Sequence, residues 1–324
     1  MTIISKESVW MMSNSGHKID YSIRPAKCVE RKIICELLLK FKNTIPIYQY
    51  RYIGFGSFYF VDFILFHNQL NIDKMISIEK SHVFERYNFN KPYNCIDIMF
   101  CDAQDALSRQ IDFSSDLPDF IWLDYDGSIS MDIISDLITA SQKVHKGSFL
   151  FVSFNPSIRF NDTDEERLPK LKEMFNDYLP SIKEKEIDAV NMPRILYKTV
   201  NNAVQKAVSD RLSSENISAS SIFNVKYRDG APMCTLGYYF HETGEKIDLS
   251  AIESLPGVTC EDIPIEIKVP RLTKAEIRIL NKMLPNSSAK DLKVAVPYLD
   301  DNDIENYIKL YKFYPNYIDS PYYV

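Results

Sequence analysis

At 324 residues, with 45 % hydrophobic and 25 % charged residues, the chain has the composition of an ordinary globular protein and the length for one large domain with an appendage, or for two domains. Its net charge of −6 argues against unspecific adhesion to nucleic acid or to an anionic membrane, because the whole-molecule field repels polyanions and leaves only local basic faces for them. Six cysteines without a CxxC pair, mostly set in apolar runs, speak against a zinc site or a disulfide framework and read as reduced core residues of a cytoplasmic protein. The chain opens with no signal-peptide layout. Its longest apolar run, 58–66, is broken by Asp62 and is far too short for a bilayer.

Residues 1–24 are mixed in character and form a candidate lid. Pro25 then stands in the first turn of a helix predicted over 25–42, whose apolar positions Val29, Ile33, Leu37 and Ile34, Leu38, Phe41 recur every three or four residues. Arg24 and Lys27 lie at its start beside Tyr21 and His17, marking either a solvated helix start or a segment that contacts substrate. A strand over 50–55 meets two glycines one residue apart, Gly54 and Gly56, and Ser57 opens a buried helix. Such a turn lets a ligand lie against bare backbone beside the free N–H groups of a helix N-terminus. The next strand, over 75–80, carries Glu79 about two dozen residues beyond the turn, the interval at which a nucleotide-binding βαβ unit sets a carboxylate on ribose hydroxyls.

A third strand over 95–100 ends in Cys101, Asp102 and Ala103; a fourth, PDFIWLDYDGS, ends in Asp124, Tyr125 and Asp126. A helix over 129–144, with Ile133, Ile134, Leu137 and Ile138 on one stripe, is stopped by Gly147, and SFLFVSFNPS makes a fifth strand. Five solidly apolar strands alternating with helices predict a parallel, doubly wound α/β sheet buried on both faces, with ligands at the carboxyl ends of the strands. Residues 161–190 read as a charged helical insertion, ahead of a longer helix over 193–212. Two β-rich runs around Asp229 and Gly230 predict an antiparallel pair that completes a mainly parallel sheet of seven strands and a main domain over 25–245. Residues 246–324 form a small C-terminal extension: one strand in IPIEIKVP, a helix over 272–285 with Thr273 and Glu276 at capping-box spacing, and a final helix in DDNDIENYIKLYKFYP.

Taken together, RPAK, YIGFGS, SIEK and WLDYDG resemble the class I S-adenosylmethionine-dependent methyltransferases, a Rossmann-like fold, over about 25–241; the combination is similar to a group of bacterial proteins labelled O-methyltransferases. The resemblance implies that Gly54, Phe55, Gly56 and Ser57 approach the methionine part of S-adenosylmethionine and that Glu79 holds its ribose. It further implies that Asp102 with Ala103 meets the adenine amino group and that Asp124, Tyr125 and Asp126 lie nearest the reaction. Tyr21, Arg24 and Lys27, at the helix start, are expected to close over the acceptor. Two positions depart from the family pattern: Tyr52 stands where an acid precedes the first glycine, and Phe58 replaces the third.

Methyl transfer from a sulfonium needs an in-line nucleophile, a base or metal to ionise it, and exclusion of water. Asp124, Asp126 and Asn155 offer three hard oxygen ligands suited to Mg2+; the plainer reading makes Asp126 and Gly127 a turn and Asp124 a helix cap. IWLDYDGSI also fits the haloacid-dehalogenase phosphatase signature, with Asp124 as nucleophile, Asp126 as general acid, and Ser153, Asp300 and Asp301 available for other roles, although that motif belongs on a first strand and stands here on a fourth. In a third reading, Lys274, Arg278 and Lys282 recur every four residues beside Lys268 and Arg271, a basic face that is either merely solvated or docks nucleic acid or an acidic partner on a degenerate methyltransferase scaffold. His67 and His82 have no partner at metal or catalytic spacing. The expected activity is methylation of an oxygen, with nitrogen as the alternative.

Overall fold

The computed structural model describes residues 23–114, 117–160 and 167–315. One sheet organises the molecule: β1 (Arg51–Gly54), β2 (Lys74–Ile78), β3 (Ile96–Met99), β4 (Asp119–Ser128), β5 (Phe149–Asn155), β6 (Ile217–Asp229), β7 (Ala231–Glu242) and β8 (Ile265–Ile267), in the order β3-β2-β1-β4-β5-β7-β6-β8. β1 to β5 are mutually parallel, whereas β7 runs antiparallel to both β5 and β6. The sheet therefore has eight strands where the sequence predicts seven. The eighth comes from the C-terminal extension, where Ile265, Glu266 and Ile267 pair in parallel with Val225, Lys226 and Tyr227.

Along β4 the side chains alternate between two cores. Phe120 and Trp122 face α1 (Pro25–Lys40) and α2 (Val61–Leu70), joined there by Tyr52, Phe149 and Phe151. Ile121 and Leu123 face the opposite way, onto α5 (Met131–Lys143) and α7 (Met192–Ser209). With both faces covered, the central strands β1 and β5 and the first half of β4 are buried along most of their length, and this is why their runs look unbroken in the sequence. Shorter helices connect the strands: α3 (Phe84–Asn90) follows β2, and α4 (Ala103–Asp105) follows β3 and passes into a π-helical turn, Ala106–Gln110. Within the predicted insertion, α6 (Arg167–Phe175) is the α-helix among the described residues.

The chain ends in α8 (Lys274–Met283), α9 (Ala289–Ala295) and α10 (Asp301–Leu310), which share their own small core of Leu280, Leu292, Val296, Ile304 and Tyr307. Thr273 and Glu276 form the reciprocal capping box that their spacing predicts. α9 is not anticipated by the sequence reading, although Ser288 and Asp291 cap it in the same way. Of the six free cysteines only Cys35 and Cys234 are fully buried, and Cys260 is exposed, so the expectation of uniformly core cysteines is too broad. Among the described residues no helix is long and apolar enough to cross a membrane.

Candidate active site

β1 ends at Gly54, but α2 starts only at Val61, later than the buried helix predicted directly after Ser57. Between them Ser57 and Phe60 adopt left-handed backbone, with φ of 50° and 47°. Residues bearing a Cβ visit this region rarely, at a cost of roughly 1–3 kcal/mol each, and such strain concentrates at functional turns. The N–H of Gly56 is donated to Glu79 Oε1 at 2.7 Å and to Ser77 Oγ at 3.0 Å. A Cβ on Gly56 would stand 2.6 Å from the Phe60 ring and from Ser77 Oγ; one on Gly54 would run into the Tyr52 hydroxyl. Both glycines are thus demanded by packing beneath the turn.

The two departures from the family pattern pack beneath and beside the turn. Tyr52 is fully buried among Phe63, Phe66 and Phe120. Phe58 lays its ring on Tyr87, 4.5 Å between centroids, under the Arg86 guanidinium.

A cavity of about 1030 Å³ opens over the carboxyl ends of β1, β2 and β4 and the start of α4. Phe55, Gly56, Ser57, Glu79, Asp102, Ala103, Asp124, Tyr125 and Asp126 all line it, so the topology brings nine separately predicted residues to one wall. Gly54 and Asn155 are not among the lining residues, nor is Arg24, which sits at the N-cap of α1. Tyr21 lies outside the described residues.

The acids on this wall are already engaged. Glu79 is 5 % exposed; burial pushes its carboxyl up to about 7, against the lowering effect of the bonds from Ser77 and Gly56. Its Oε1 supports the glycine turn, a role the ribose expectation did not include. Asp102 caps α4, its Oδ1 accepting from the Asp105 N–H at 2.8 Å. Between Asp124 and Ser128 the pairing of β4 with β5 slips, and the intervening residues leave the ladder there. Tyr125 sets its ring against Phe55, 5.1 Å away, and donates its hydroxyl to Asp136 Oδ2 at 2.5 Å; burial and the Asp136 carboxylate hold the phenol well above its usual range. Asp126 is exposed.

Beneath Asp124 lies a charged cluster. Lys27, expected to contact substrate, is 4 % exposed; its Nζ stands 2.7 Å from Asp124 Oδ1, 2.7 Å from Glu30 Oε2 and 4.3 Å from the centre of the Trp122 ring. It is therefore committed inside the protein. Burial pulls the ammonium down, and the carboxylates of Asp124 and Glu30 more than reverse this, so its pKa is raised. Glu30 is fully buried, and that burial raises its carboxyl despite Lys27. Arg31 Nε pairs with Asp62 Oδ1, and both residues line the cavity. The start of α1 is fixed from far away: Asp229, at the end of β6, accepts from the amides of Ala26 at 3.1 Å and Lys27 at 2.8 Å.

The donor set does not fit the expected Mg2+ ion. Asp124 Oδ1 is held by Lys27, Asn155 Oδ1 accepts from the Ser157 N–H, and no group of three or more His, Cys, Asp or Glu among the described residues is arranged to hold a metal. Asp124 caps no helix either, since Ser130 occupies the N-cap of α5. The residues suggested for a phosphatase are dispersed. Ser153 is buried, bonded to Trp122 Nε1 and Thr235 Oγ1, while Asp300 begins α10 in the C-terminal helices.

Sequence reasoning missed Glu30, Arg31, Asp62 and Asp136. A signal was present: Glu30 and Arg31 precede Ile34 and Leu38 on the apolar stripe of α1, Asp62 interrupts an apolar run, and Asp136 adjoins Ile133 and Leu137 on the stripe of α5. A charge on an inward stripe is buried with a partner or serves a site.

A strand order in which parallel β1 to β5 are closed by an antiparallel β7, with an acid-lined cavity at the strand ends, defines a methyltransferase of the Rossmann-like class. The chain belongs to the family described as "Putative O-methyltransferase", which it matches over residues 19–322. No curated protein matches it. Among solved structures it is similar to Trm1 from Pyrococcus horikoshii in complex with S-adenosyl-L-methionine, at 13 % identity and a TM-score of 0.43 over 67 % of this chain and 55 % of that one. It is also similar to fibrillarin from Methanococcus jannaschii, at 11 % identity and a TM-score of 0.38 over 64 % and 74 % of the two chains. A third is the N-methyltransferase NodS from Bradyrhizobium japonicum in complex with S-adenosyl-L-homocysteine, at 8 % identity and a TM-score of 0.37 over 69 % and 90 %.

Proposed function

We propose that this chain binds S-adenosylmethionine in the strand-end cavity and methylates an oxygen nucleophile. The observation that supports this best is the convergence of the Phe55–Ser57 turn, Glu79, Asp102 and Asp124 on one cavity. The donor set fits such a cofactor. Seven carboxylates (Asp62, Glu79, Asp102, Asp124, Asp126, Asp132, Asp136) line the cavity against two cationic side chains, Arg31 and Lys80, a balance that favours a sulfonium and an amino group. When bound, the cofactor supplies a methyl group already activated by positive sulfur.

The protein then has to position the acceptor, keep water out and take up a proton. Phe55 and the Tyr125 ring form an apolar wall over the turn. Asp124 faces the cavity and receives the acceptor proton. Lys27 lies between Asp124 and Glu30, so this trio carries one net negative charge, and a proton arriving from the acceptor neutralises it without creating a buried positive charge. That accounting favours an acceptor which must lose a proton, as a hydroxyl does. General-base assistance of this kind contributes typically 10²–10⁴-fold.

Calorimetric titration with S-adenosylhomocysteine tests the reading. Dissociation in the micromolar range is expected, worth about −8 kcal/mol. Absence of heat at millimolar ligand would sink it. Asp124→Asn should keep that affinity.

A further inference from the structure

Asp136 has an unmet bond. The residue is 5 % exposed, lines the cavity from α5, and gives its Oδ2 to the Tyr125 hydroxyl; its Oδ1 meets no donor among the described residues. Leaving a buried carboxylate oxygen unsatisfied costs on the order of 1–3 kcal/mol, and a protein keeps such a group where something else completes it. Asp102 and Asp132 also line this part of the wall and act on Asp136 as like charges, with Lys80 as the opposing cation. Three carboxylates facing one ammonium leave an excess of negative charge.

We propose that Asp136 Oδ1, flanked by Asp102 and Asp132, is the subsite for a protonated amine on the methyl acceptor. This rests on the methyltransferase reading and narrows it, because the acceptor hydroxyl would then belong to an amine-bearing molecule. A primary ammonium has three N–H donors and one positive charge, which match one unmet oxygen and two neighbouring acids. The two oxygens of an aspartate turn together, so with Oδ2 held by Tyr125 the position of Oδ1 is fixed and the ammonium has to come to it. Tyr125 is thereby coupled to the subsite: its hydroxyl bonds Asp136, and its ring packs on Phe55 of the glycine turn. An anionic acceptor would meet repulsion throughout the same cavity.

The test is titration of the protein with 1,4-diaminobutane, with and without saturating S-adenosylhomocysteine, using butane-1,4-diol as the neutral control and Asp136→Asn and Asp132→Asn as variants. The expected result is that the diamine binds and the diol does not. Asp136→Asn should weaken the diamine at least tenfold and retain the effect in 1 M salt, where the Debye length is about 3 Å. Tyr125→Phe, which frees the second oxygen, should hold or tighten diamine binding, and it supplies the answer if the Asn variant fails to fold. Unchanged diamine affinity in Asp136→Asn would overturn the proposal. So would equal losses in both Asn variants that vanish in 1 M salt, because diffuse charge alone then explains them. A loss of S-adenosylhomocysteine in place of the diamine would assign Asp136 to the cofactor and likewise overturn it. If S-adenosylhomocysteine fails to bind the parent protein, the methyltransferase reading fails, while the diamine titration without it still reports on the subsite.

Discussion

Lys27 donates to Asp124 over 2.7 Å, joining the start of α1 to the carboxyl end of β4 across 97 positions of sequence. Because Glu30 claims the same ammonium, removing the lysine strands two carboxylates in a region with little water.

Lys27→Met is therefore expected to destabilise the protein by about 3–5 kcal/mol, the usual cost of breaking a buried ion pair from one side. Lys27→Met combined with Glu30→Gln should recover a large part of that loss, since one stranded charge is gone. Urea unfolding of the two variants, compared at equal m-value, checks both outcomes.

Asp229→Ala should cost about 1–2 kcal/mol, because it removes the acceptor for two amides in the first turn of α1. Amide exchange at Ala26 and Lys27 should accelerate well beyond that of amides in the middle of the helix. Equal acceleration throughout α1 would show that the aspartate does no local capping.

Glu79 gives a pH dependence with a definite sign. Its carboxyl sits at about 7 in the folded protein against an ordinary value of 4.5, so the folded state holds a proton which the unfolded state has released. Its contribution to stability falls as pH rises from about 4.5 to about 7 and stays reduced above that. Glu79→Gln abolishes this dependence. The stability difference between variant and parent should move in the variant's favour by on the order of 3 kcal/mol between pH 4.5 and pH 8. Denaturant titrations at the two pH values measure it.

Millimolar Mg2+, or its removal by a chelator, should leave S-adenosylhomocysteine affinity and the thermal midpoint unchanged. Of the three residues that the sequence offers to the ion, Asp124 has one oxygen held by Lys27 and Asn155 has its oxygen held by the Ser157 amide. A rise of the midpoint with added Mg2+ would show that the ion displaces the lysine.

The strand-end residues were legible in the sequence because a buried parallel sheet writes each strand as an apolar run and places the polar cluster directly after it: Gly56, Glu79, Asp102 and Asp124 could be located from order alone. The partners of these residues were not legible. Asp229 reads as a hairpin residue and Lys27 as either a solvated helix start or a substrate contact, and only the folding of β6 against α1 brings one onto the other. Phe58 stands out in the sequence only as the replacement of the loop's third glycine; the left-handed backbone at Ser57 that accompanies its packing on Tyr87 is not visible there. β8 was foreseen as a strand but not as a member of the sheet, since three residues contain no record of their neighbour.

That short strand has a further consequence. β6 is 13 residues long and carries Phe223, Val225 and Tyr227; β8 covers its outer backbone at Val225–Tyr227, and residues 257–259 bond its backbone at Ile222 and Asn224. A bare strand of this length is a template onto which a second chain can add. The residues after β7 therefore shield an open border of the sheet, and a chain ending at Thr243 would keep the cavity wall yet expose an adhesive edge, failing by self-association before it fails in chemistry.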